Sequence, residues 1–211
     1  MKITNTYKSS LLAIVCFCFT LSGFAQAQWE VDMVKEINPR YPGDNTWKSF
    51  SSTTKPVAIA VPFCMLAISL INDNKKLENN AYEVAAGIAL AAVATEGLKL
   101  LIKRPRPYET YPTDIYPDAV DNSPSFPSGH TSIAFAAATS LTLTTKKWYV
   151  AMPAFAWASG VAYSRVYLGQ HYPSDVIAGA VVGAAGAYAA HWLNKKFLLK
   201  RKSNRLKIAT D

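Results

Sequence analysis

Apolar residues in this chain gather in blocks and do not alternate with polar ones. After a short block at 11–24, five more follow at 56–71, 81–102, 131–144, 148–163 and 176–193. None shows the period-two pattern of a half-buried strand, and the run Ala85-Ala86-Gly87-Ile88-Ala89-Leu90-Ala91-Ala92 predicts helices in close contact. Gly179, Gly183 and Gly186 would let the last helix approach its neighbours in the same way. Several blocks fall short of the roughly 20 residues that cross a bilayer, so their flanks must decide whether they span it. The predicted fold is all-α, a membrane-embedded bundle of about five core helices behind an N-terminal signal segment.

The first block has the form of that signal. Lys2 and Lys8 precede the apolar run, and Ala25-Gln26-Ala27 offers the small residues read by a signal peptidase, which places the mature start at Gln28. An uncleaved first transmembrane helix is the alternative. The expected organisation is a signal peptide over 1–27, a periplasmic leader over 28–55, a helical domain over 56–194 and a basic cytoplasmic tail over 195–211. Pro39, Pro42 and Gly43 break the leader into short helical pieces, with Trp29 and Trp47 as interfacial anchors.

With 211 residues the chain suits one domain. Its mean hydropathy of +0.07 is low for a membrane protein, so it is the concentration of apolar residues in blocks that permits spanning. Cys16 and Cys18 lie in the signal, which leaves Cys64 alone in an apolar run, without a disulfide partner or a Cys-x-x-Cys pair. The net charge of +8 could suit nucleic acid or a membrane surface, and its distribution favours the membrane. With five spans, the turns after the first and third carry Lys75-Lys76 and Lys146-Lys147, and the tail after the fifth carries Lys195, Lys196, Lys200, Arg201, Lys202, Arg205 and Lys207. All lie on one side, as the positive-inside rule asks of the cytoplasmic face, and the opposite helix ends face the periplasm.

Three short motifs fall at those outer ends: Lys99 with Arg106-Pro107, then Pro127-Ser128-Gly129-His130, then Ser164-Arg165 with His171 and Asp175. Phosphoryl transfer relies on fixed cations and backbone N–H donors aimed at the phosphate oxygens. Lys99, Arg106 and Arg165 supply cations, and the arginine fork matches phosphate in bidentate fashion. Pro107 would stop the helix and fix the exit of Arg106. Ser128 is a candidate N-cap, and the Gly129 N–H can approach an anion at a helix N-terminus. His130 suits a general acid. Asp175 could hold one nitrogen of His171 and leave the other free as a nucleophile, with Ser174 able to cap the final helix. Each motif alone has a plainer reading, as a headgroup-binding basic helix end, a turn or a capping pair. His191, without a partner motif, is read as structural.

Together, Lys99-x6-Arg106-Pro107, Pro127-Ser128-Gly129-His130 and Ser164-Arg165-x5-His171-x3-Asp175 resemble the complete three-part signature of the type 2 phosphatidic acid phosphatase superfamily. The resemblance implies an all-helical, metal-independent phosphatase with no cofactor that works through a phosphohistidine. It assigns phosphate binding to Lys99, Arg106, Ser128, Gly129 and Arg165, acid catalysis to His130, attack to His171 and support of that histidine to Asp175.

An outward site at bilayer depth fits a phosphorylated lipid as partner, with the membrane and without nucleic acid. Envelope enzymes of similar form act on lipid A, undecaprenyl diphosphate or phosphatidylglycerophosphate, and the compact form with a signal-like N-terminus favours lipid A, at a bacterial inner membrane with the site facing the periplasm. Removing such a phosphate would lower surface charge and weaken attraction of cationic antimicrobial peptides. The 108–125 connection, with Tyr108, Tyr111, Tyr116, Glu109, Asp114, Asp118 and Asp121, would overhang the site and set specificity. A vanadium-dependent haloperoxidase, a soluble periplasmic acid phosphatase and a lipid-binding scaffold are the rival readings.

Overall fold

The structure is a computed structural model that describes residues 28–208, with side chains described to Lys196. The signal expected over 1–27 lies outside the described residues. Two short helices come first, α1 (Gln28–Ile37) and α2 (Asn45–Ser52), followed by α3 (Thr54–Ile71), α4 (Lys75–Ile102) and the single turn α5 (Pro107–Thr110). An irregular connection leads to α6 (Gly129–Thr145), α7 (Trp148–Tyr167) and α8 (Pro173–Ile208). The five predicted blocks are α3, α4, α6, α7 and α8. α8 continues unbroken past residue 195, where the tail was expected to begin.

Local chemistry sets the breaks between helices. Asp73 takes φ 47°, and the Asn74 side chain accepts the Leu77 N–H at 3.0 Å to start α4. Lys103 and Lys146 end α4 and α6 in the left-handed region. The first of these corrects the role expected for Pro107. α4 stops at Ile102, and Pro107 instead opens α5, with Arg106 as its N-cap.

α6 is the central helix, packed on α8, α7 and α4, and its buried face is Ala134, Ala136, Ala137, Ala138 and hydroxyl residues. Small residues allow this because backbone meets backbone. A Cβ at Gly179 would lie 2.6 Å from the Ser128 carbonyl oxygen, and one at Gly183 would run into the Ser132 carbonyl. α3, α4 and α8 are the described helices long and apolar enough to cross a membrane, with most of each window facing outward. α6 has 17 residues and α7 carries polar ends, so their depth follows from the helices around them.

Side-chain bonds show which ends lie together. Asn80 near the start of α4 reaches the Thr144 carbonyl at 3.5 Å, and His191 Nδ1 meets Glu83 at 2.5 Å. His191 is thus structural but partnered, by a glutamate its own sequence neighbourhood does not reveal. At the other end Thr95 Oγ1 donates to Ser132 Oγ at 2.8 Å and Ser128 N–H to the Asp175 carbonyl at 2.9 Å. Lys75 and Lys99, 24 residues apart on α4, are therefore separated by about 36 Å. The basic turns occupy one end of the bundle and the three motifs the other.

Residues 28–53 belong to the motif end. Val31 and Val34 of α1 enter a core with Tyr108, Ile115, Val166 and Tyr172. On α2, the Trp47 ring lies 4.5 Å from the Tyr163 ring and Phe50 lies on Gly160, which ties this helix to α7.

Two glycines of similar helical position test the packing. Gly183→Ala should destabilise the protein by about 1–3 kcal/mol, because the methyl group meets backbone. Gly97→Ala, with nothing within 4 Å, should be neutral or stabilising by about 0.5–1 kcal/mol. Thermal unfolding of the detergent-solubilised variants measures both, and equal effects would contradict the close approach of α6 and α8.

Candidate active site

α4 carries Lys99 in its last turn, and the chain then runs Arg104-Pro105-Arg106-Pro107, where each proline disfavours helix at the residue before it and Arg106 takes extended backbone. Glu109 Oε2 accepts the Arg106 N–H at 2.7 Å and fixes that exit. Ser164 and Arg165 lie in the last turn of α7, which closes on Gly169 at φ 68°, and His171 follows before α8 begins. A Cβ at Gly169 would lie 2.7 Å from the Tyr116 carbonyl, so this tight corner needs glycine for both its angle and its space.

These elements converge. A cavity of about 190 Å3 is lined by Lys99, Arg106, Gly129, His130 and His171, with Lys55, Glu96, Asp121 and Ser123 around them. Five of the eight residues singled out in sequence thus face one space. Arg165 is buried beside it; its Nη1 donates to Ser51 Oγ at 2.6 Å, and its Nε has no hydrogen-bond partner among the described residues. Asp175 is fully buried under His171, with Oδ2 3.5 Å from the imidazole Nδ1, a long contact that leaves Nδ1 without a hydrogen bond. Ser128 stands in the wall. Its N–H goes to the Asp175 carbonyl and its Oγ accepts from Thr131 at 3.0 Å, so it occupies the N-cap position of α6 without capping by its side chain. Ser174 does not cap α8 either; its hydroxyl accepts from Arg104.

Arg106 is only 1% exposed, and protein acceptors take each of its five N–H groups. Nε donates to the Ser123 carbonyl at 2.9 Å, and Nη1 to the carbonyl and Oε1 of Gln170 at 3.1 and 3.0 Å. Nη2 donates to Asp121 Oδ2 at 2.7 Å and Ser123 Oγ at 3.0 Å. Lys99 Nζ also donates to Ser123 Oγ, at 3.0 Å. Asp121, its side chain half exposed, is the acceptor an arriving anion can displace at least cost. Burial alone would raise its carboxyl pKa; the Ser123 N–H and the Arg106 guanidinium outweigh that and hold it below the usual carboxylate range.

Burial pushes the His171 imidazole down to about 4, with Arg165 and Arg106 adding to it and Asp175 opposing. His130 is pushed down to about 3 by burial and then by Arg165 and His171. Both rings are neutral near pH 7. A neutral imidazole offers a lone pair, and a bound phosphate dianion would supply the negative charge that lets His130 hold a proton. Among the described residues no group of three or more His, Cys, Asp or Glu is placed to hold a metal ion.

Several residues that build the site were not singled out in sequence. Arg104 is 5% exposed and donates to Asp175, Ser174 and Glu30; the repeated Arg-Pro was the available signal. Glu30, Asn38 and Ser51 come from the leader, where nothing local marks them. Asn38 holds the corner by donating to the Tyr116 and Tyr167 carbonyls at 2.9 and 2.8 Å and accepting the Tyr116 N–H at 2.7 Å. The 108–125 connection is tied down further by Lys35 to Asp114 at 2.7 Å and Lys48 to Asp118 at 2.5 Å.

A family model described as the PAP2 superfamily matches residues 80–198. The chain is 33% identical over 79 residues to the lipid A 4'-phosphatase of Bacteroides thetaiotaomicron, covering 37% of this chain and 35% of that protein. It is 31% identical over 116 residues to the undecaprenyl-diphosphatase of Sulfolobus acidocaldarius, covering 52% and 53%. The matches thus span about a third to a half of these relatives' lengths. Among solved structures, Aquifex aeolicus LpxE superposes with a TM-score of 0.62 at 27% identity, over 75% of this chain and 92% of that one. A transmembrane PAP2 type phosphatidylglycerolphosphate phosphatase from Bacillus subtilis gives 0.64 at 19% identity, over 88% and 96%, a likeness of fold.

If Asp121 competes with an incoming anion for Arg106, Asp121→Asn should tighten the Kd for orthovanadate or inorganic phosphate by about tenfold, an effect of about 1.4 kcal/mol. Calorimetric titration measures it, and an unchanged or weaker Kd would remove Asp121 from the competition.

Proposed function

This chain belongs to the PAP2 superfamily, and on that premise we propose that it is a membrane phosphatase hydrolysing a lipid phosphate at the periplasmic face through a phosphohistidine, with lipid A as the preferred substrate. The observation that carries this reading is the common cavity of His130, His171, Lys99 and Arg106, assembled from two separate helices and two connections at one end of an apolar bundle. The basic turns at the opposite end support a periplasmic orientation of the site.

The phosphate enters between Lys99, Arg106 and Arg165, with the first turn of α6 presenting Gly129. Asp121 gives way, and the Nη2 donor it held turns to a phosphate oxygen. His171 is neutral, with its Nδ1 proton toward Asp175 and its Nε2 lone pair toward phosphorus; the long Nδ1 contact shortens as the ring acquires charge. Attack by Nε2 forms the N–P bond while the ester P–O bond breaks, and His130 passes a proton to the leaving alkoxide. Water then attacks the phosphohistidine, His130 takes the water proton, and inorganic phosphate leaves with His171 restored. The fixed cations lower the barrier by holding the equatorial oxygens as their charge shifts.

Lipid A is favoured by the likeness to a lipid A 4'-phosphatase. A polyprenyl diphosphate is the second reading, since the likeness to an undecaprenyl-diphosphatase extends over more of this chain. Phosphatidylglycerophosphate, a soluble acid phosphatase and a non-enzymatic lipid-binding scaffold complete the alternatives. The three apolar helices disfavour the soluble form.

Detergent-solubilised full-length protein, offered lipid A, undecaprenyl diphosphate, phosphatidylglycerophosphate and phosphatidic acid, should release phosphate fastest from lipid A. Faster turnover of another lipid would replace the substrate, and no release from any would remove the enzyme reading. His171→Gln should abolish release, and Arg165→Lys should reduce it at least about tenfold despite its charge, because the fork is lost. The rate should fall as pH drops through about 4, where His171 protonates and its lone pair is lost. An acid limb that His171 does not govern would contradict attack by this ring.

A further inference from the structure

Glu30 and Asp175 are both completely buried, and one arginine lies between them. Arg104 Nη2 donates to Glu30 Oε2 at 3.0 Å, and Nη1 donates to Asp175 Oδ1 and, at 2.8 Å, to Ser174 Oγ. Glu30 Oε1 accepts the Ser174 N–H at 2.8 Å, and the guanidinium lies 4.0 Å above the Tyr172 ring. The second oxygen of Asp175 has different company: the Ser125 hydroxyl, the Tyr172 N–H at 2.9 Å and His171 Nδ1. One carboxylate oxygen is therefore spent on the arginine and the other is turned toward the imidazole.

We propose that Arg104 and Glu30 are positioning residues for the reaction, a buried pair that clamps Asp175 so that Oδ2 faces His171. The proposal rests on the phosphatase reading only for its kinetic consequences. Asp175 can rotate about its side-chain bonds, and a 1 Å displacement of an orienting group can cost about 100-fold in rate. Ser125 and the Tyr172 N–H grip a single oxygen and leave that rotation open. Arg104 grips the other oxygen, and Glu30 in turn fixes Arg104 and balances a cation that burial would otherwise make costly. Glu30 is set by α1, whose Val31 and Val34 pack against Tyr172, so the first described helix is tied to the reacting ring through two charged links.

The pair also regulates the charge that His171 meets. The imidazole faces Asp175 from α8, Arg165 from α7, His130 from α6, Lys99 and Glu96 from α4, Lys55 from α3, and Arg106 and Asp121 from the connections. With Arg104 in place the Asp175 charge is partly neutralised. Removing Arg104 leaves that carboxylate unscreened, which favours imidazolium and moves His171 protonation to higher pH.

Arg104→Gln, Glu30→Gln and the double variant separate positioning from folding. Arg104→Gln leaves both Glu30 and Asp175 buried without their counterion, so its Tm should drop; the double variant removes the Glu30 charge, so its Tm should recover in part. Release of phosphate from a short-chain phosphatidic acid in detergent should show kcat down about 100-fold in Arg104→Gln with KM within about threefold. In the double variant kcat should stay low, and the acid limb of kcat should lie at higher pH than in the unmodified protein. Recovery of kcat along with Tm in the double variant would overturn the proposal, since the pair would then be a matter of folding alone. A His171 titration followed by imidazole NMR is independent of turnover: an upward shift in the double variant supports the clamp, and an unmoved midpoint overturns it. Absence of activity in the unmodified protein toward this lipid and toward lipid A, undecaprenyl diphosphate and phosphatidylglycerophosphate would fell the phosphatase reading and leave the NMR result to decide the clamp.

Discussion

Burial of charge at one end of the bundle is the constraint on which this architecture turns. Asp175, Glu30, Arg104, Arg106 and Arg165 are each less than a tenth exposed, and a buried charge without a partner costs several kcal/mol. Each is answered by a specific acceptor or donor from elsewhere in the chain: Glu30 for Arg104, Arg104 for Asp175, Asp121 and Gln170 for Arg106, Ser51 for Arg165. These demands pull α1, α2 and the 108–125 connection onto the helix ends and close the site.

The remainder of the bundle makes such a site affordable. α6 and α8 meet through glycine, alanine and hydroxyl residues, so their backbones nearly touch, and Ser128 reaches the Asp175 carbonyl. That contact joins the second and third motifs without any side chain. Large side chains at Gly179 or Gly183 would separate the two histidines before altering either. The apolar faces of α3, α4 and α8, turned outward, then carry the polar end at a depth set by lipid.

The N-terminal helices extend the picture past the part of the chain that matches the family. The match runs over 80–198, whereas Glu30, Asn38 and Ser51 lie before it and contact Arg104, the Gly169 corner and Arg165. A segment read from its composition as a polar leader is thereby a structural wall of the site. Its polarity reflects what it contacts, since buried arginines and free carbonyls need carboxylates, amides and hydroxyls.

Much was legible from order along the chain. Apolar blocks 14 to 22 residues long can satisfy their backbone only as helices in an apolar setting, and lysines at alternate turns settle which ends share a side. The convergence of Lys99, Arg106, His130 and His171 on one cavity was expected because their spacing resembles a family signature. Tertiary structure alone decided that Arg104 holds Asp175 and reaches Glu30, 74 residues away, that Asp121 occupies Arg106, that Ser128 braces the wall, and that Glu83 partners His191. The physical reason is range. Helix formation and spanning depend on neighbours within a few turns, whereas the partner of a buried charge is whichever opposite group folding brings within about 3 Å, and no local pattern encodes that choice.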